Sequence, residues 1–132
     1  MIAFDTDVLS ELLRGNAAVV QRANAIAEED QAVPVVVVEE ILRGRLNSIR
    51  RAEAGRARLS VEQAYELFEE SLKDIRHFRI LSFSAEAQAI YGQWREQKIR
   101  VSTHDLRIAA TLISYNRRDF ERIPELRVEL LG

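Results

Sequence analysis

The stretch Ile2-Ala3-Phe4-Asp5-Thr6-Asp7-Val8-Leu9-Ser10-Glu11-Leu12-Leu13 decides how the rest of the chain reads. Ile2, Ala3 and Phe4 form a short apolar run that suits a buried strand, and Val8, Leu9, Leu12 and Leu13 then recur at helical spacing. Asp5 stands at the hand-over. In open α/β sheets ligands bind outside the carboxyl ends of the strands, so Asp5 is the first side chain placed for chemistry. Asp and Thr are also good helix N-caps, which gives Asp5 and Thr6 a purely structural alternative. Asp7 either adds a carboxylate or faces solvent. Convergence of other acidic residues on Asp5 separates the readings.

Outward from this stretch, Arg14-Gly15-Asn16 closes the first helix, with Gly15 suited to a left-handed residue past its end. A second helix is expected over about 17–29, followed by the polar turn Glu28-Glu29-Asp30-Gln31. Val33-Pro34-Val35-Val36-Val37-Val38 is nearly all β-branched and predicts a strand covered on both faces, as in a parallel sheet, with Pro34 at its entrance. The run stops at Glu39-Glu40, and Ile41, Leu42 and Leu46 follow at helical spacing. On this reading a carboxylate again sits where a strand gives way to a helix.

From Arg45 to Phe78 the pattern is helical with a break near Gly55, and Ser60-Val61-Glu62-Gln63 is a capping box that starts a new helix. Tyr65, Leu67, Phe68, Leu72 and Ile75 are its expected apolar face. Two long helices between about 40 and 76 therefore form a hairpin beside the sheet, an arm that packs against a second copy, a partner chain or its own domain. Phe78 to Phe83 predicts a third strand, and Ser84 opens a helix that runs to about Gln97. Thr103 is the expected cap of a last helix beginning His104-Asp105-Leu106-Arg107-Ile108-Ala109-Ala110. Asp105 is thus a third carboxylate near a helix start, where the helix dipole alone favours it by about 0.3–1 kcal/mol.

The 132 residues fit a single domain, 1–132, long enough to bury a core. Without cysteine there is no disulfide framework, thiolate metal site or cysteine nucleophile, so a cytoplasmic protein is expected. No stretch approaches the ~18 consecutive apolar residues of a membrane span, and no membrane partner is expected. A net charge of −2 argues against coating nucleic acid by bulk electrostatics. Yet all but two of the 19 basic residues are arginine. Arg43, Arg45, Arg50, Arg51, Arg56 and Arg58 crowd one segment, whose planar guanidinium groups suit an RNA backbone, an acidic partner or a solvated helix face.

With Asp5, Glu40 and Asp105 in hand, the chain resembles the PIN-domain ribonucleases of the VapC toxin type over nearly its whole length. Phe4-Asp5-Thr6-Asp7-Val8-Leu9-Ser10 resembles the family's opening Asp-Thr-Asn-Val-Leu, with Asp7 for the usual Asn. Val38-Glu39-Glu40-Ile41-Leu42-Arg43-Gly44 resembles its Glu followed four positions later by Gly, which selects Glu40 over Glu39. His104 to Ala110 resembles its Asp-Leu-x-Ile-Ala-Ala, and Asn116-Arg117-Arg118-Asp119-Phe120-Glu121-Arg122-Ile123-Pro124 its late Asn-x-x-Asp-Phe segment. The resemblance implies an α/β fold of three α/β/α layers with a central parallel sheet and the helical hairpin protruding. It also implies a divalent-metal-dependent endoribonuclease and a cognate antitoxin that blocks the site.

The chemistry of the residues agrees. Carboxylates forced together raise one another's pKa unless a cation joins them, and carboxylate oxygens suit Mg²⁺ or Mn²⁺. Asp5, Glu40 and Asp105 are therefore expected to meet around one ion as metal ligands and catalytic residues. Asn116 and Asp119 compete for the fourth place. Thr6 is a supporting hydroxyl, and Arg43 and Arg107 are expected phosphate contacts. One departure stands out: Leu106 to Tyr115 offers ten residues where the family has a helix, a turn and a strand. At ~1.5 Å per helical and ~3.3 Å per strand residue both do not fit. Either the helix stops before a strand Leu112-Ile113-Ser114, or the strand is lost, or a loop is missing from the numbering.

The sequence thus predicts an endoribonuclease toxin that cleaves cellular RNA, restrained by an antitoxin and dimeric through the arm. The alternative is a catalytically impaired PIN-like module that acts by binding RNA or antitoxin.

Overall fold

The computed structural model describes residues 1–119 and 127–128, with side chains through Asn116. The elements are β1 (Ile2–Ala3), α1 (Thr6–Leu13), α2 (Ala17–Asn24), a single 3₁₀ turn (Glu28–Asp30), β2 (Gln31–Pro34), α3 (Val35–Glu53), α4 (Val61–Ile75), β3 (Arg79–Leu81), α5 (Ala85–Glu96), α6 (Thr103–Asp119) and β4 (Arg127–Val128). The strands lie in the order β3-β2-β1-β4, and every pairing is parallel. Each parallel crossover carries two helices, so the expected α/β architecture around a central parallel sheet is the one adopted.

The strand expected over 33–38 is a correction. β2 ends at Pro34, and Val35 to Val38 form the first turn of α3. The neighbours set that limit: β3 pairs with β2 only as far as Leu81 opposite Pro34, and β1 only as far as Ala3 opposite Ala32. Beyond Pro34 the chain has no flanking strand, and buried N–H and C=O groups must find partners, which a helix supplies internally. Against that requirement the β-branched preference counts for only tenths of a kcal/mol per residue. Pro34 therefore stands at the exit of the strand, not its entrance, and Glu40 lies in the second turn of a helix.

The hairpin forms as expected, from α3 and α4 packed on one another. Gly55 reverses the chain with φ +67°, and the Ser60–Gln63 capping box is complete, with Gln63 N–H on Ser60 Oγ at 3.2 Å and Ser60 N–H on Gln63 Oε1 at 2.9 Å. The apolar face differs from expectation. Ala64, Ser71 and Ile75 are buried, whereas Tyr65 and Leu72 remain 52% and 44% exposed. Arg45 donates from Nε to Ser71 Oγ at 2.8 Å. Burial, and secondarily the Arg14 guanidinium, hold its pKa below the ordinary arginine value.

One core joins β1, β2, α1 and α3 to Ile108, Leu112 and Tyr115 of α6; a smaller one seats Leu106 and Ala110 of α6 against Ala87, Ile90 and Tyr91 of α5. α6 is thus apolar on two sides and runs unbroken through Leu112-Ile113-Ser114, so no strand forms there. Ser102, not Thr103, caps it, its Oγ accepting from Asp105 N–H at 3.2 Å. The second helix is shorter than expected, ending at Asn24. Among the described residues no helix is long and apolar enough to cross a membrane.

Candidate active site

Asp5 leaves β1 in extended conformation and caps α1, with Oδ1 accepting from Val8 N–H at 2.9 Å. This cap engages one carboxylate oxygen, so capping and chemistry do not exclude each other. Thr6 is the first residue of α1, and its Oγ1 is buried without a hydrogen-bond partner. The neighbouring Asp7 is exposed.

Glu40 projects from α3 into a groove of about 760 Å³ that it shares with Arg43, Leu46, Asn47, Arg50 and, from α6, His104. Glu40 Oε1 is buried and has no hydrogen-bond partner. An acceptor removed from water without a donor costs about 1–3 kcal/mol, more when charged, and a cation beside it removes the cost. Its neighbour Glu39 is differently placed. Glu39 Oε2 receives Arg43 Nη2 at 2.6 Å, and Glu39 Oε1 lies 3.4 Å from His104 Nε2. The second contact is within ion-pair reach but outside hydrogen-bond geometry, since His104 Nε2 is itself buried without a hydrogen-bond partner. The spacing argument that selected Glu40 thus picks the glutamate whose oxygen is left unsatisfied.

Asp105 is exposed in the first turn of α6, next to His104, so that turn stands beside the Glu40 groove. α3 packs against both α1 and α6, which makes the three carboxylate-bearing elements neighbours. Among the described residues, however, no three Asp, Glu or His side chains are gathered closely enough to hold a metal ion. Asn116 is exposed on the same helix as Asp105, eleven positions on and about 16 Å along the axis. Asp119 closes α6. Its side chain, like the 120–124 part of the late motif, lies outside the described residues.

Of the two arginines expected at phosphate, Arg43 reaches the groove while paired to Glu39. Arg107 is half-buried with its guanidinium 5.0 Å above the Tyr91 ring, and Arg95 lies 5.9 Å from the same ring. Tyr91 Oη is buried without a hydrogen-bond partner. Sequence reasoning missed Asn47, Arg50 and His104 as groove residues. The signal was present for two of them, because Glu40, Arg43, Asn47 and Arg50 follow the i, i+3, i+7, i+10 spacing of one helix face.

Comparison with known proteins bears on this arrangement. Ribonuclease VapC of Rickettsia bellii is 29% identical over 136 residues, covering 94% of this chain and 91% of that protein. The crystal structure of FitAcB from Neisseria gonorrhoeae is similar at a TM-score of 0.69 and 29% identity, over 88% of this chain and 83% of that one. VapBC2 from Rickettsia felis, bound to a DNA fragment from its promoter, shares the fold at a TM-score of 0.65 and 22% identity, over 98% of both chains. The PIN domain family model matches residues 2–125, a span that takes in Asp5, Glu40 and Asp105 together with β1, β2 and β3, and the chain therefore belongs to the PIN-domain family.

Proposed function

We propose that the chain is a divalent-metal-dependent endoribonuclease toxin that cleaves phosphodiester bonds in cellular RNA and is inhibited by a cognate antitoxin. Membership of the PIN-domain family and the likeness to a relative named Ribonuclease VapC support this reading. The observation that carries it is Glu40 Oε1, a buried carboxylate oxygen without a partner in an arginine-lined groove. Carboxylate oxygens suit a hard cation, and Asp5, Glu40 and Asp105 would hold Mg²⁺ or Mn²⁺ directly or through water. When bound, the ion supplies an activated water and neutralises charge on the scissile phosphate. Arg43 and Arg50 hold the flanking phosphate oxygens, and the Val8 N–H engages only Asp5 Oδ1, which leaves the second oxygen for the ion. An antitoxin segment that brings an Arg or Lys to these carboxylates competes for the same charge. A cytoplasmic location goes with a cellular RNA substrate.

Purified protein is expected to cut RNA with Mg²⁺ or Mn²⁺ and to stop in chelator, and Asp105→Asn is expected to abolish cleavage while preserving the far-UV circular dichroism spectrum. Absence of cleavage with either ion, combined with variants as toxic in cells as the wild type, would sink the proposal. A second reading, a PIN-like module that only binds RNA or antitoxin, draws on the unbroken α6 and the lack of a gathered three-acid set among the described residues. It predicts RNA retention in chelator and no turnover in metal.

The exposed pair Tyr65 and Leu72, one stripe of α4 at i, i+7, supports a homodimer through the arm. Light scattering at micromolar concentration is expected to give twice the chain mass; a monomer removes the dimer.

A further inference from the structure

A second concave surface, of about 630 Å³, lies at the tip of the hairpin and is lined by Ser48, Arg51, Gly55, Arg56 and Arg58 among others. The left-handed Gly55 folds the chain back so that Arg56 N–H donates to Arg51 O at 2.8 Å, and Arg51 Nη2 reaches Arg56 O at 3.5 Å. These bonds set Arg51 and Arg56 side by side. Arg50, Arg51, Arg56 and Arg58 are all exposed, and none forms an ion pair among the described residues, whereas Arg14 and Arg43 do. Like charges gathered this way repel until an anion joins them.

The tip and the Glu40 groove lie on one face of α3. Eleven residues of helix return to nearly the same angular position, so Arg51 stands over Glu40's face about 16 Å further along α3. Arg43, Asn47 and Arg50 line the interval. A line of cations that begins at the hairpin tip and ends at the proposed cleavage site matches a polyanion threaded through that site. Separate acidic side chains of a protein would have no reason to follow it into the groove.

We propose that Arg51, Arg56 and Arg58 form a distal anchor for the phosphate backbone of single-stranded RNA whose scissile bond lies at the Glu40 groove. The anchor rests on the ribonuclease reading above and extends its footprint by the length of the hairpin. Guanidinium groups grip phosphate oxygens by paired hydrogen bonds, without reading bases.

The test compares the wild type with the triple variant Arg51→Gln, Arg56→Gln, Arg58→Gln on RNAs of about 4 and about 16 nucleotides, the range of single-strand site sizes. Binding is followed by fluorescence anisotropy in chelator, and cleavage in Mn²⁺. For the longer RNA, the variant is expected to lose about 10-fold or more in affinity. Its log K against log salt slope is expected to shrink by about 2, at roughly 0.7 per lost contact on a single strand. Cleavage of the shorter RNA stays at the wild-type rate, and the matching triple Arg→Lys variant recovers most of the salt slope. An unchanged affinity and slope for the longer RNA overturns the anchor, as does unchanged RNA binding with lost binding to polyglutamate, which assigns the tip to an acidic protein. If the wild type cuts neither RNA, the ribonuclease reading fails, while the salt slope in chelator still decides whether the tip holds RNA.

Discussion

Asp5 and Glu40 each follow a short apolar run, and the chain treats the two places in opposite ways. After Phe4 the strand ends, Asp5 caps the next helix, and its Oδ1 is satisfied by Val8 N–H at 2.9 Å. After Pro34 the helix begins at once, so Glu40 sits inside it, where no helical N–H is left over to satisfy a carboxylate, and its Oε1 is buried unpartnered. The first acid contributes to folding through a local bond. The second detracts from folding, and what it gains must come from a ligand. This pairing of one satisfied and one unsatisfied carboxylate is the strongest physical pointer to function in the molecule.

The contrast breaks most sharply at Glu40. Loss of outer-shell partners already costs metal sites about 10–100-fold, so Glu40→Gln, which removes a proposed ligand, is expected to lower turnover by more than about 10²-fold. The same variant removes the charge from a half-buried side chain whose Oε1 has no partner and is expected to gain up to about 1 kcal/mol of stability. Thermal unfolding with and without Mn²⁺ checks this. The wild type should gain stability from the ion and the variant should not; a variant that is less stable yet fully active makes Glu40 structural.

Asp5 should show the reverse. Asp5→Ala removes the cap and is expected to cost about 0.5–2 kcal/mol in denaturant unfolding, whereas Asp5→Asn caps as well and should cost little. Both are expected to lose cleavage, so Asp5→Asn isolates the chemical role from the capping role. Equal stability of the two variants would remove the cap from the argument.

The smallest effect concerns a carboxylate outside both junctions. Its own backbone N–H and the Ser60 hydroxyl hold the exposed Glu62 carboxyl below its ordinary pKa of 4.5. A depressed folded-state pKa gives stability that is present above the unfolded value and lost as pH falls through the folded one. Glu62→Gln is therefore expected to be slightly less stable than the wild type at neutral pH, with the difference closing as pH falls below about 4.5, so that its acid limb is flatter. A limb that is equally steep in both proteins contradicts the assignment.

Much of the fold was legible because its signals are local. Gly15 adopts the left-handed conformation expected of it, the helical pattern breaks at Gly55 as expected, and Ser60 and Ser84 cap through their own side chains. The valine run was misread because a strand needs neighbours, and whether a neighbour is present is not written in the run itself. Tyr65 and Leu72 were misread for a related reason: helical spacing shows which residues share a face, not whether a partner covers it. At the site, motif spacing pointed to Glu40 rather than Glu39, and in the structure Glu39 is the one paired to Arg43 while Glu40 Oε1 has no partner. His104 was invisible as a groove residue because its place depends on how α6 leans on α3.

The sequence by itself determined most of the caps, the turns and the helical hairpin, because each depends on contacts within a few residues. Only the tertiary structure decided where β2 stops, which glutamate oxygen goes unsatisfied, and how the arginines of α3 line up from groove to hairpin tip. Those properties belong to surfaces made by segments distant in the chain, and their energies come from burial and from missing partners, which no single segment contains.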